Sequence, residues 1–180
     1  PGAPYQKVVP AMFANNASAT DIAKAYFEFY ADENLYTGKL PYNWGLGDPW
    51  TAGVSVSVVN TSMLEQLAKS SSEIILKYIK GRQAIATSGI LCYDCRSSKY
   101  YYDFDGLIRS LDSETSEYEA WKAAYDAAVV YWKTTPNNYS SYGGSFSMNG
   151  SAGLSTYIFR QSYDEEINPF YCQSIEWYHA

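Results

Sequence analysis

Residues 54–58 read Val-Ser-Val-Ser-Val, and within six residues a helical pattern follows: Leu64, Leu67, Ser71, Ile74, Ile75 and Tyr78. Alternation with a period of two marks a strand with one buried face, ending at Asn60. Ser62-x-x-Glu65 reads as a capping box that opens a helix over 63–80, stopped by Gly81. Strand, short turn and helix make half of a βαβ unit. Only one further strand is predicted, Leu154-Ser-Thr-Tyr-Ile-Phe159, and two strands are too few for an independent sheet. The pair therefore belongs to a sheet completed elsewhere.

The rest of the pattern is helical. Ser18 ahead of Thr20-Asp21, then Ile22, Ala25, Tyr26, Phe29 and Tyr30, predicts a capped amphipathic helix over 20–32. Asp103 caps a shorter one at 104–111, with Leu107, Ile108 and Leu111 facing inward. Ser116-x-x-Glu119 is a second capping box, opening a helix over 117–133 that ends before Pro136. One face of that helix holds Trp121, Ala124, Tyr125, Ala128, Val129 and Trp132. Asn168-Pro169 starts a terminal helix with Phe170, Tyr171, Ile175, Trp177 and Tyr178. The fold class is thus α/β and α-rich, with residues 1–180 as a single unit free of repeats or dividing linkers. Two loops stand out: 37–53, which holds four Gly, two Pro and two Trp, and the polar 137–153, with Tyr139, Tyr142 and Phe146. Ordered loops of this kind often line a site.

Composition excludes several classes. Thirteen Lys+Arg against 19 Asp+Glu give a net charge of -6, and the basic residues are scattered, so there is no footprint for nucleic acid. With 47% hydrophobic residues, 19 Tyr and 5 Trp, the chain is no disordered acidic tail. The longest charge-free apolar run, Gln83 to Tyr93, is too short to span a membrane. Pro1-Gly2-Ala3-Pro4 has neither the basic end nor the apolar core of a signal peptide. Pro1 is accordingly not expected to be the start of the gene product. Asn-x-Ser/Thr triplets at Asn16, Asn60, Asn138 and Asn149 carry weight only in a eukaryotic secreted protein.

Candidate chemistry is sparse. Cys92-Tyr93-Asp94-Cys95 has the spacing of a redox pair or half a zinc site. A redox pair belongs at a helix start after a strand, whereas this one falls between helices, and structural cysteines are the simpler reading. Cys172 and His179 complete a formal Cys₃His set with it. An odd number of cysteines leaves at least one thiol unpaired within the chain. As a catalytic couple on one helix, Cys172 and His179 would lie about 10.5 Å apart along the axis, too far for proton transfer. Asp164-Glu165-Glu166 and the Asp103/Asp105 pair offer oxygens to a hard cation, but a solvated loop and a helix cap explain them more simply. No catalytic residue and no metal site is expected within the chain, and substrate-binding residues stay unassigned.

Several segments carry a resemblance. They are Gly2-Ala3-Pro4-Tyr5 through Val9-Pro10, Asp21 to Tyr30, Val54 to Asn60 followed by Met63 to Ala68, and Tyr101 to Ile108. Ala124 to Tyr131 with Thr134-Thr-Pro136, Ser151 to Ile158, and Phe170-Tyr171 with Glu176-Trp177-Tyr178 complete the series. In this order the chain resembles the C-terminal half of clostripain-type cysteine peptidases, of the caspase-like clan, although Asn60 stands where an Asp is more usual.

The resemblance implies a caspase-like sheet sandwiched by helices, with a helical C-terminal subdomain. It implies an endopeptidase in which a Cys thiolate, activated by a His, attacks the scissile carbonyl and forms an acyl-enzyme, typically after Arg or Lys. Both catalytic residues would sit upstream of Pro1, on a chain or segment of the same protein that is the expected partner. It further implies a secreted, periplasmic or cell-surface bacterial protein, and calcium dependence known in parts of the family. The Trp44–Trp50 loop and the 137–151 loop are candidate walls of the substrate groove. The rival class is an aromatic-rich binding module for glycans or cell-wall polymers, which would fold alone and expose several Trp or Tyr. Half a peptidase would instead show an open sheet edge or apolar face.

Overall fold

Local caps and apolar stripes account for most of the helices. The computed structural model describes residues 4–31, 53–79, 85–93, 101–113, 115–140 and 144–158. The first elements are α1 (Tyr5–Met12) and α2 (Ala19–Ala31). α2 opens with reciprocal bonds: the Asp21 N–H donates to Ser18 Oγ (3.1 Å), and the Ser18 hydroxyl donates to Asp21 Oδ2 (2.6 Å). These satisfy donors that a helix start leaves open, and they hold the Asp21 carboxyl below its usual range.

β1 (Ser55–Val59) passes through one 3₁₀ turn, Thr61–Met63, into α3 (Leu64–Ile79). The expected Ser62–Glu65 box is not the cap. Asn60 Oδ1 accepts from both the Ser62 N–H (3.2 Å) and the Ser62 hydroxyl (2.8 Å), so Ser62 turns backward and the α-helix starts only after the tighter turn. β2 (Tyr101–Asp103) runs directly into α4 (Phe104–Leu111), where Asp103 is the cap and Leu107, Ile108 and Leu111 are buried, as expected. α5 (Ser116–Ala128) is capped one residue earlier than its box predicts. Thr115 Oγ1 accepts from the Glu117 N–H (3.3 Å), while its hydroxyl is held by the Asp112 carboxylate.

The expected helix over 117–133 ends at Ala128. Val129–Thr134 is instead a strand, β3, followed by the hairpin strands β4 (Asn137–Ser140) and β5 (Gly144–Ser147), then β6 (Ser155–Tyr157). The β-branched and aromatic run Val-Val-Tyr-Trp suits a pleated surface once β1 is beside it, and tertiary pairing overrides the helical spacing. Among the described residues there are three two-stranded ladders, β1–β3, β2–β6 and β4–β5, all antiparallel. β1 therefore pairs antiparallel here, and not as half of a βαβ unit. Its five residues are all half-buried, which corrects the single buried face. α2 packs across β1 and β3, and on the ribbon's Trp132 side the indole N–H donates to the Ser151 carbonyl (3.3 Å).

The core closes around Trp121, which is fully buried with Tyr125, Ile108 and Ala128. Phe104 meets its ring edge-on at 5.6 Å, and Tyr125 lies at 5.0 Å between centroids, arrangements favourable to aromatic pairs. The indole N–H donates to Ser71 Oγ (2.8 Å), and that hydroxyl donates to the Leu67 carbonyl (2.6 Å). A serine on the apolar side of α3 is thus the acceptor a buried tryptophan needs. The terminal helix predicted from Asn168, the Trp44–Trp50 loop, Cys95, Cys172, His179 and Asp164-Glu165-Glu166 lie outside the described residues.

Gly53 marks where the loop over 37–53 enters β1. Its φ is +64°, and a Cβ built there lies 2.2 Å from the Asn137 carbonyl oxygen. Gly150 also has positive φ, +87°, but nothing within 4 Å. Gly53→Ala should therefore cost clearly more than the roughly 1–2 kcal/mol of left-handed strain carried by Gly150→Ala. Chemical-denaturation midpoints of the two variants in the full-length protein check the difference.

Candidate functional site

Two constellations of polar side chains organise the surface loops. The first is centred on Asp103, whose side chain is fully buried. Its Oδ1 accepts from the Gly106 N–H (2.7 Å) as the cap of α4, while Oδ2 accepts from the Tyr93 hydroxyl (2.6 Å) and the Ala152 N–H (2.8 Å). Burial is the first cause that pushes the Tyr93 phenol up, and the bond to Asp103 adds to it. Next to it the Tyr125 hydroxyl donates to the Ala152 carbonyl (3.0 Å) and accepts from the Leu154 N–H (3.1 Å). One carboxylate and one phenol thereby fasten the loop segment Ala152–Leu154, just before β6, to α4 and α5.

Asp105, nearly buried, is engaged separately, with Arg109 Nε at 3.0 Å and the Tyr118 hydroxyl at 3.0 Å. Asp103 and Asp105 thus spend their oxygens on different partners, which is the cap reading rather than a shared cation site. Among the described residues no three His, Cys, Asp or Glu side chains converge to hold a metal. Cys92 is buried and its backbone bridges Tyr102, a structural placement for the first cysteine of the Cys92–Cys95 pair.

The second constellation ties the β4–β5 hairpin to the ribbon. Asn138 Nδ2 donates to Ser55 Oγ (2.8 Å), and Ser55 Oγ lies 2.8 Å from Thr134 Oγ1. The Thr135 hydroxyl accepts from the Val54 N–H (2.9 Å) and donates to the Asn137 carbonyl (2.9 Å). The described part of the 137–151 loop is therefore a pinned hairpin resting against Gly53, the last residue of the 37–53 loop. The pattern misses this hairpin because its four-residue strands, Asn-Asn-Tyr-Ser and Gly-Ser-Phe-Ser, show no apolar alternation, although Gly143-Gly144 is a turn signal. A third feature is a cleft of about 320 Å³ between α3 and β6, lined mostly by apolar groups including Leu64, Leu67, Phe104 and Leu154. Among the described residues no histidine stands beside the one cysteine, Cys92. The geometry shows a scaffold with anchored loops.

The model of the clostripain family of peptidases matches residues 1–179. The chain belongs to the clostripain family. Among solved structures, this clostripain-family chain is similar to a cysteine protease of B. fragilis, at 45% identity and TM-score 0.82, covering 99% of this chain and 71% of that one. It is also similar to a secreted C11 cysteine protease of Bacteroides thetaiotaomicron, solved in complex with an irreversible peptide inhibitor. There the identity is 36% and the TM-score 0.78, with 99% of this chain and 48% of that one covered. An inactive zymogen C11 protease of Parabacteroides distasonis shares the fold at 24% identity and TM-score 0.75, over 99% of this chain and 47% of the other. The chain thus spans about half the length of the latter two. The curated proteins offer no match. Mixed helices and small sheets agree with these protease structures. No described helix is long and apolar enough to cross a membrane.

Two predictions follow from the Asp103 and Asp105 centres. Asp103→Ala leaves three half-buried donors without their acceptor, at about 1–3 kcal/mol each, whereas Tyr93→Phe removes one bond worth about 1–3 kcal/mol. Urea unfolding should show the alanine variant losing at least twice as much stability as the phenylalanine variant. The Tyr118 phenol is pushed up to about 12, first by burial and then by its bond to Asp105. A raised folded pKa makes this contribution fully present below the unfolded value near 10 and lost as pH rises from about 10 to 12. Denaturation midpoints taken across that window should fall, and fall less steeply in Tyr118→Phe.

Proposed function

We propose that this chain is the C-terminal portion of a cysteine endopeptidase that cuts after Arg or Lys. The observation that carries the reading is the 45% identity over 99% of the chain to a B. fragilis cysteine protease. In this reading the Cys and His belong to polypeptide upstream of Pro1. The thiolate attacks the scissile carbonyl, the amine leaves as the peptide C–N bond breaks, and water releases the acyl-enzyme.

This chain's own contribution is architectural. At the two ends of the β1–β3 ladder the Thr135 N–H donates to the Val54 carbonyl and the Asn60 N–H to the Ala128 carbonyl, and inward and outward peptide groups alternate along an antiparallel strand. The peptide groups of Ser55, Ser57 and Val59 consequently turn to the outer edge of β1. That edge has no strand partner among the described residues, which supports continuation into the larger caspase-like sheet. The pinned β4–β5 hairpin, with the Trp44–Trp50 loop, supplies a candidate wall of the substrate groove. A secreted location is in keeping with the secreted Bacteroides thetaiotaomicron relative. Against the glycan-binding alternative, the described tryptophans are not exposed, Trp121 being fully buried and Trp132 half-buried.

The full-length protein should cleave fluorogenic peptides ending in Arg or Lys and take up an irreversible Lys-peptide inhibitor on a cysteine upstream of Pro1. Mass spectrometry locates the adduct, and the same assay run with and without calcium reads any dependence on that ion. No cleavage after either residue, with no adduct, would sink the proposal.

A further inference from the structure

α1 is a helix that its own sequence does not stabilise. It has eight residues, holds Pro10 inside, lacks a side-chain bond at its Pro4 cap, and has no acidic residue in its first turn or basic one in its last. Isolated helices shorter than about 12–15 residues are marginal even with good caps, so the order of α1 comes from packing. Pro4, Val8 and Ala11, at i, i+4 and i+7, form its inward stripe, and α1 packs on α2.

A second stripe at the same spacing points outward. Tyr5, Val9 and Met12, continued by Phe13, are 72%, 40%, 52% and 81% exposed, and no residue of the helix itself is buried. A contiguous apolar stripe of this kind marks an interaction surface.

We infer that this stripe seats the upstream, catalytic segment of the same protein, an inference that rests on the proposed function for the identity of that segment. Three observations select this occupant. The chain covers 71% and 48% of two related proteases, so the family's fold has further polypeptide to place. α1 is the chain's first described element, and polypeptide joined ahead of it leaves from the foot of the stripe, where consecutive elements usually pack. A convex helix face offers no concave site for a peptide substrate, and four side chains fall far short of the roughly 600 Å² per partner that a stable dimer requires.

Hydroxyl-radical footprinting of the native full-length protein, read by mass spectrometry at Tyr5, Met12 and Phe13, tests the assignment without any substitution. Buried Trp121 and the same residues in free tryptic peptides provide the two standards. Protection of all three by roughly tenfold or more, unchanged on dilution, is expected. Reactivity equal to that of the free peptides overturns the inference, and protection that disappears on dilution assigns the stripe to a second copy and overturns it too. Peptide cleavage is measured on the same sample. Cleavage with an unprotected stripe removes this inference alone, whereas protection without cleavage removes the peptidase reading and with it the catalytic identity of the occupant.

Discussion

The carboxylate of Asp103 is the constraint on which the second half of the fold depends. A charge taken out of water is tolerated only where donors replace its hydration, and here three donors from three separate segments do so. Because Gly106 lies in α4, Tyr93 in the segment before β2 and Ala152 just before β6, the bonds form only when those segments have met. The Phe104 N–H then reaches the Leu154 carbonyl at 3.0 Å, and β2 and β6 pair along Tyr101–Asp103 and Ser155–Tyr157. A ladder of three residue pairs would be marginal alone. It holds because its end is fixed by a buried charge.

The same logic separates the molecule into a self-sufficient part and a dependent one. Around Trp121, helices α3, α4 and α5 bury a continuous core whose polar atoms have partners. The β1–β3 ribbon with α2 and α1 is different in kind. Among the described residues it is two strands wide, its outer edge has no strand partner, and α1 buries none of its residues. A ribbon of that width gains independent stability only from further strands or covering helices. The edge of β1, without a strand partner among the described residues, and the apolar stripe of α1 are therefore one deficit seen in two elements, and the greater length of the related proteases agrees with it.

How far the sequence reveals this depends on how local each signal is. The Ser18–Asp21 cap, the Asp103 cap and the inward Leu107, Ile108 and Leu111 are legible because each involves residues within one helical turn. The strand β3 is not, since Trp121, Ala124, Tyr125, Ala128, Val129 and Trp132 keep helical spacing straight across the helix–strand boundary. Only the presence of β1, some 70 residues earlier, decides between the two periods. Asp103 shows the same limit within one residue. Its bond to Gly106 can be read from the cap pattern, but its bonds to Tyr93 and Ala152 join positions 10 and 49 residues away. The ordered series of resembling segments carried the family, because order along a chain is a property that local physics does not supply. Catalytic chemistry stayed illegible for a different reason: Cys92 is the one cysteine among the described residues, and none of them is a histidine.

The β4–β5 hairpin shows what polar contacts do where apolar burial is thin. A one-residue slip turns every side chain of a strand to its other face, and apolar burial resists that only where one face is buried. Here a shift would remove Asn138 from Ser55 and part the Thr135 hydroxyl from the Asn137 carbonyl. The polar groups that such a slip leaves unpaired therefore specify the register. The network sits at the described root of the hairpin and fixes it against the β1–β3 ribbon, the kind of anchoring by which a rigid scaffold positions its loops.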